Sequence, residues 1–567
     1  MRIFTFLAAL LIAQTLFWAC QMVRSKWVIP PVPTAALEAG SPGVRGVYFA
    51  DGDCYSRMER VRRVAASPGL IIQRHDFENF PDGVHSHTTA LFDYIIFAFS
   101  KILPGVPAGV LPLEWAGAWI SPLLGALLLC AVAVWGFLLR LRSLPLTCLL
   151  LAVSPILLHG FAVGRPDHQS LVTLLVGLGL LAEIALWHLP PSSRQVRWWQ
   201  IVWGLAWGFA LWASLYEPLI ILLVVLLLRA VFASRAAWRE WKNHLVAPVL
   251  AGVLLLISFL LEGLPTVSAS GATYEEFQHW AQSIGELARV PILTSAFAWM
   301  GWLALPLPFL LVGNFLLARR RRSEGERVER RRECVPLFLC ILFAVVAGLL
   351  AWHIRWGYFF VLVGAVALPW ALDVLPWVIL RYVLFFISLW PLAQEMERSL
   401  FPAGMHLVQR AEDLREAAML RYEMRQLPRG NPNAILAPWW LTPEASYWAQ
   451  LPGIAGSSHQ SLPGTLDVTR FFMSTDDAAA LEILKKRPAA WVIVPSSERV
   501  IQQAEFLFPE TEVSEDHPPL VIRLDQHPAF APEFLRLENK TPYFKIYRVV
   551  PLAVPGADRS TPARASE

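Results

Sequence analysis

Four short stretches carry residues whose types and spacing suit chemistry on a charged substrate. The first is Tyr48-Phe-Ala-Asp-Gly-Asp-Cys-Tyr-Ser-Arg-Met-Glu-Arg60, where Asp51 and Asp53 precede a helix start and Arg57, Arg60 and Arg63 recur at helical spacing. The second is Gly164-Arg-Pro-Asp-His-Gln169. The third is the acidic set Glu275, Glu276 and Glu286, and the fourth is Arg355, between Trp352 and Trp356. Carboxylates gathered from separate places are the ligands that hard cations such as Mg²⁺ and Mn²⁺ take. Arginine makes strong bidentate pairs with phosphate. Acids and arginines beside a membrane would suit a metal ion and a phosphorylated lipid. Each residue also has a purely structural reading. Asp53 caps a helix and pairs with Arg57 at i,i+4, Asp167 caps the helix behind Pro166, and His168 sits at an interface. Glu286 lies in a hydrated loop, Arg355 reaches headgroups, and Glu217 in a Tyr-Glu-Pro turn is an interface residue.

The elements that must position these residues are apolar. The chain has 567 residues, 56% hydrophobic and 16% charged, whereas soluble domains carry about 25% charged residues. A mean hydropathy of +0.47, long apolar runs and 25 Trp predict a polytopic α-helical membrane protein with aromatic belts. Net charge is only +4, and the basic clusters fall in short loops between apolar runs, so no nucleic-acid partner is expected. The six cysteines form no CxxC pair and no metal-ligand spacing, which excludes a disulfide framework.

About eleven spans are predicted. They cover 3–22, 113–139, 145–162, 170–188, 199–214, 218–228, 245–261, 292–317, 335–351, a stretch ending before Pro376, and 377–394. The first reads as an uncleaved span, with no A-x-A site behind it. Two longer polar loops follow, 23–112 and 262–291, and the apolar piece at 91–102 inside the first reads as a helix lying at the interface. Residues 1–395 thus form a membrane domain, 396–554 a small α/β domain of alternating helical and strand-like pieces, and 555–567 a disordered Pro/Ala/Ser/Arg tail. Under this count Arg2, Arg140/Arg142, Arg194/Arg197 and the clusters at 229–242 and 319–332 all fall on one side. The positive-inside rule makes that side, with the N-terminus, cytoplasmic. The expected location is a cell (inner) membrane, with the two long loops, the 164–169 and 352–356 turns and the C-terminal domain outside.

With these residues in view, the chain resembles the catalytic subunit of oligosaccharyltransferase in its single-subunit bacterial and archaeal form. Asp53-Cys-Tyr-Ser-Arg57 looks like that family's first-loop D-x-Y motif, and Pro81-Asp-Gly-Val-His-Ser-His-Thr-Thr-Ala-Leu-Phe-Asp93 like the segment after it. Gly164–Gln169 is similar to its second acidic motif, with Gln169 where the bacterial form has a carboxylate. Ser283-Ile-Gly-Glu286 resembles the S/T-x-x-E motif of its mobile external loop, and His353-Ile-Arg-Trp356 the turn whose Arg meets the lipid pyrophosphate. Trp439-Trp440 sits where its W-W-D-Y-G motif begins, but here the motif continues Leu-Thr-Pro443.

The resemblance implies a GT-C fold and transfer of a glycan from a polyprenyl-pyrophosphate donor to the Asn side chain of an acceptor protein. It implies Mg²⁺ or Mn²⁺ held by Asp53, Asp167, His168 and Glu286, with Asp53, Asp167 and Glu286 catalytic. Arg355, Arg165 and Arg57 would meet the pyrophosphate, and Trp439 and Trp440 the acceptor. The loop 262–291 would close over the bound lipid. The missing Asp after Trp440 favours a second reading on the same fold: a transferase using a polyprenyl-monophosphate sugar to modify a lipid, glycan or cell-wall polymer. A transporter is disfavoured, because the charges gather at the outer rim and no internal repeat is seen.

Overall fold

The structure is a computed structural model, described over residues 2–30, 46–86, 88–190, 193–232, 245–264, 273–323, 330–428, 434–510 and 516–550. The tail at 555–567 and parts of the 262–291 loop and of the basic clusters at 229–242 and 319–332 lie outside the described residues.

The chain divides into two compact units. One comprises Met1–Arg74, His85–Val267 and Ala281–Ala418; the other comprises His75–Val84, Ser268–Trp280 and Met419–Glu567. The division therefore falls inside the helix Met405–Gln426, past the expected boundary at 395/396, and two short earlier stretches join the second unit.

The first unit is helical. Its opening helices are α1 (Arg2–Val28), α2 (Gly52–Ala66), α3 (Ala90–Ile102), α4 (Pro112–Leu138), α5 (Leu144–Val153), α6 (Pro155–Gly160), α7 (His168–His188), α8 (Arg194–Ala213) and α9 (Tyr216–Phe232). Among the described residues, five helices are long and apolar enough to cross a membrane: Ile3–Val28, Pro112–Leu138, His168–His188, Arg332–Trp352 and Ile354–Leu372. A sixth is the pair Val378–Ser388 and Trp390–Leu400, bent by 44°. The chain is a polytopic helical membrane protein.

Two of the expected spans are each broken into two helices. The span at 145–162 splits into α5 and α6 at Ser154-Pro155, where proline has no N–H to continue the ladder. The span at 292–317 splits into Ile292–Met300 and Leu307–Ser323 around Gly301, whose φ of 78° ends the first helix. Val246–Glu262 is apolar but short.

Two carboxylates buried among these helices, Glu183 and Asp93, are paired, which offsets the cost of burying a charge in a low-dielectric interior. Glu183, fully buried in α7, accepts from the indole N–H of Trp187 at 2.6 Å and of Trp203 at 2.8 Å, and meets Arg229 at 3.2 Å. The piece expected at 91–102 forms α3, and it is clamped to α2. Arg57 and Arg60 both reach the buried carboxylate of Asp93, at 2.7 Å each.

The second unit is α/β. Its four-stranded sheet runs in the order Ala434–Leu436, Ala489–Val494, Lys545–Val549, Leu535–Lys540; the first pair is parallel and the others antiparallel. Ala489-Ala-Trp-Val-Ile-Val494 is buried at every position, as expected of a central strand covered on both faces. The edge strand Leu535–Lys540 exposes Arg536, Glu538 and Lys540, a charged border that discourages further strand pairing.

Candidate active site

Two turns of the first unit are tied together by backbone. The Ala50 N–H donates to the Gly164 carbonyl at 3.0 Å, and the Gly164 N–H donates to Ala118 O in α4 at 2.9 Å. Gly164 has φ 77°, and a Cβ there would run into the Val28 side chain, so glycine is required both by conformation and by space. This lock brings Asp51, the N-cap of α2, to the residue after Gly164. Asp51 accepts from the Cys54 N–H at 3.0 Å with one oxygen and meets Arg165 Nη1 at 3.4 Å with the other.

Arg165 is the centre of the cluster. Its Nη2 lies 2.7 Å from Glu286 Oε1 and 3.5 Å from Asp167 Oδ2. Its Nη1 donates to His159 Nε2 at 2.8 Å. Arginine is donor only, so this imidazole nitrogen is the acceptor and the proton sits on Nδ1, 3.1 Å from the Tyr358 hydroxyl. The Arg165 carbonyl accepts from the Ser121 hydroxyl.

Asp167 caps α7, accepting from the Gln169 N–H at 3.4 Å, and the His168 Nδ1–H donates to it at 2.8 Å. Burial alone would raise the Asp167 carboxyl. The adjacent His168, with Arg165 and Arg57 beyond it, outweighs burial and holds the group far below the usual carboxylate range. Glu286 behaves oppositely. Its side chain keeps 34% of its surface open, yet its carboxyl sits against protein and faces other acids. Burial and the Asp167 charge raise it, against the pull of Arg165 and Arg355. Two acids on one guanidinium are thus pushed in opposite directions, which is how acid and base roles separate.

A second layer begins at Gln169. Its side-chain N–H donates to Glu217 Oε1 at 3.0 Å. Glu217 is fully buried, accepts from the Ser214 hydroxyl at 3.0 Å and pairs with Arg355. Arg355 also stands 5.5 Å over the Tyr216 ring. The loop carrying Glu286 is tied to the turn carrying Arg355 by the Ile354 N–H, which donates to Ala288 O at 3.1 Å.

The sequence-based candidates sort as follows. Asp167, His168, Glu286, Arg165 and Arg355 gather in one place. Asp53 is exposed on the first turn of α2, and Asp51 is the acid that meets Arg165. Arg57, expected at the pyrophosphate, instead pairs with Asp93 and donates to Thr89 O at 3.2 Å. Trp439 and Trp440 belong to the second unit, where they are half-buried against its core at 6.2 Å from each other. His159, Tyr358 and Gln169 were not among the candidates, and Glu217 was read as an interface residue. The signal for Glu217 was a carboxylate at the mouth of an apolar run, which is costly unless paired or functional. His159 gave a similar signal, as a lone imidazole late in an apolar run.

The donor chemistry of Asp51, Asp167 and Glu286 suits a hard cation, but their arrangement does not. Among the described residues no group of three or more His, Cys, Asp or Glu side chains could hold a metal ion. The guanidinium of Arg165 stands between these carboxylates, and His168 Nδ1 is engaged by Asp167. Among the described residues the expected Mg²⁺ or Mn²⁺ set of Asp53, Asp167, His168 and Glu286 is not gathered into one group, and Arg165 stands between the acids that do meet.

Solved structures give the fold its name. The chain is similar to the archaeal oligosaccharyltransferase AglB from Archaeoglobus fulgidus in complex with an inhibitory peptide and a dolichol-phosphate. The TM-score is 0.62 at 13% identity, over 86% of this chain and 69% of that one. It is also similar to ArnT from Cupriavidus metallidurans bound to undecaprenyl phosphate, with TM-score 0.50 at 13% identity, over 96% of this chain and 97% of that one. The chain has the GT-C fold. A further GT-C neighbour is the A. fulgidus oligosaccharyltransferase in complex with Zn and sulfate, with TM-score 0.54 at 15% identity, over 90% of this chain and 70% of that one. No family model matches the sequence, and no curated protein does.

Proposed function

We propose that this GT-C chain is a membrane glycosyltransferase. It takes a glycan or sugar from a polyprenyl-linked phosphate donor and passes it to an acceptor on the extracytoplasmic face of a cell membrane. The observation that carries this reading is the convergence of Asp51, Asp167 and Glu286, from three separate loops, on Arg165, with Arg355 beside them. The acids serve a nucleophile and the guanidiniums serve a leaving phosphate. Neighbours of this fold were solved with dolichol-phosphate and undecaprenyl phosphate, which supports a polyprenyl donor.

In this reading the acceptor's lone pair attacks the anomeric carbon. The C1–O bond to phosphate breaks, and its electron pair stays on the phosphate oxygen. Glu286, raised by burial and by Asp167, takes the acceptor's proton as general base. Arg165 and Arg355 meet the charge that develops on the leaving group, in a site whose dipoles are already oriented. One displacement of this kind inverts the anomeric centre and passes through an oxocarbenium-like state.

The donor is a polyprenyl-pyrophosphate glycan and the acceptor a protein Asn in the oligosaccharyltransferase reading, which the order of loop motifs favours. The second reading uses a polyprenyl-monophosphate sugar and a lipid, glycan or cell-wall acceptor. Two observations favour it: Leu441 replaces the motif's Asp, and the match to ArnT spans almost all of both chains. Comparing glycans of a deletion strain with its parent separates them. Loss from Asn side chains supports the first, and loss from lipid or polysaccharide supports the second. Unchanged glycans in all three would overturn the proposal.

A further inference from the structure

The carboxylates of the cluster already have a cation. We infer that the Arg165 guanidinium is the resident counter-ion of Asp51, Asp167 and Glu286, standing where a divalent metal would otherwise be held, so that the cluster works without one. This rests on the proposed reaction only for its chemical consequence, that Arg165 rather than a metal faces the leaving phosphate.

Three observations carry it. First, the two Nη atoms of Arg165 reach all three acids, at 3.4, 3.5 and 2.7 Å. A metal bridging the same oxygens would have to displace the guanidinium. Second, Arg165 is anchored independently of the acids. Nη1 donates to His159, His159 leans on Tyr358, the Arg165 carbonyl is held by Ser121, and the preceding Gly164 is fixed by backbone hydrogen bonds on both sides. A side chain poised to swing aside for an ion would not need this scaffold. Arg165 is also buried, so swinging out would cost it packing as well as charge pairing. Third, the acidic motif ends Asp167-His168-Gln169, and Gln169 turns to Glu217 while His168 binds Asp167. Neither supplies the further ligand that an octahedral cation demands.

The test uses full-length protein in nanodiscs and Mn²⁺ alone as probe, with free Mn²⁺ read by electron paramagnetic resonance. It needs no substrate, so it stands apart from the donor assignment. Wild-type protein is expected to show no Mn²⁺ binding that E286Q removes. Arg165→Ala, with its folding checked by thermal unfolding, is expected to gain one bound Mn²⁺ per chain, and adding E286Q is expected to abolish it. One Mn²⁺ on wild-type protein, lost in E286Q, would overturn the inference. So would a folded R165A that gains none. If R165A does not fold, the comparison of wild type with E286Q decides alone.

Discussion

Glu217 and Arg355 form an ion pair in which the carboxylate is fully buried and the arginine side chain is mostly buried. Gln169 and Ser214 donate to the same carboxylate, so both of its oxygens are engaged. Such a pair holds Arg355 in one orientation, towards the acids of the cluster.

Glu217→Gln should therefore lower transfer without Glu217 meeting substrate. The neutral amide removes the strongest charge partner of Arg355 and frees the side chain to move. A misplacement of about 1 Å at a positioned group costs roughly 100-fold in rate. The loss should fall mainly on kcat, with Glu217→Asp restoring part of it. Equal activity of E217Q and wild type in donor turnover would show that the pair does not position Arg355.

Asp51→Asn and Asp53→Asn should differ. Asp51→Asn removes the charge opposite Arg165 and keeps an oxygen to cap α2, because Asn caps a helix as well as Asp does. Asp53 is exposed. Transfer should fall by at least an order of magnitude for D51N, roughly 1.4 kcal/mol or more of lost stabilisation, and by much less for D53N. The reverse order would return the first-loop role to Asp53.

The sequence made Asp167, Glu286 and Arg355 legible because each sits in a short polar break between apolar runs, where an ionisable group stands out. Between Asp51 and Asp53 the residue pattern was neutral, and only the resemblance singled out Asp53. Two acids two residues apart at a helix start share the same pattern, and the choice depends on the Ala50–Gly164 hydrogen bond, which joins turns more than a hundred residues apart. The partner of Arg57 was hidden for a related reason. Helical spacing put it beside the acids, but its partner Asp93 lies on another helix. His159 and Tyr358 stayed hidden inside apolar spans, where periodicity reports only burial. The helix breaks at Pro155 and Gly301 were not legible, because hydropathy averages over a break that one residue's backbone creates.

Asp93→Ala should cost stability rather than donor recognition. Two buried guanidiniums, Arg57 and Arg60, would lose their shared carboxylate. Breaking a buried pair costs about 3–5 kcal/mol. The thermal unfolding midpoint in detergent should drop sharply, and whatever folded protein remains should keep its KM for donor. A raised KM at unchanged stability would put Arg57 back at the phosphate.

Gly164→Ala should disturb both the fold and the site. The positive φ disfavours any L side chain by roughly 1–2 kcal/mol, and Val28 occupies the space a Cβ would need. Relief requires the turn to shift, and the turn carries Arg165. Activity should fall further than stability alone accounts for, measured as kcat per folded molecule. A fully active, fully stable G164A would show that the lock between Ala50 and Gly164 is dispensable.

Glu286 gives the reaction an acidic limb. A base must be ionised to accept a proton, and burial with the Asp167 charge raises this carboxyl above its ordinary range. The rate should therefore rise with pH through a pKa above that of a solvent-exposed glutamate, and then level off. The sign for stability is opposite. A carboxyl whose folded pKa is raised contributes stability that is present at low pH and lost as pH rises through that value. Asp167, held low by His168 and Arg165, contributes in the other direction: its share is present above the ordinary carboxylate pKa and is lost progressively as pH falls below it. Glu286→Gln removes one titration and leaves the other. It should abolish the acidic limb of kcat/KM and lower the plateau by roughly 100- to 10,000-fold, as loss of a positioned base does. It should also flatten the decline in stability above the usual carboxylate pKa, while acid unfolding through Asp167 remains. An acidic limb that survives unchanged in E286Q would move the base to Asp51.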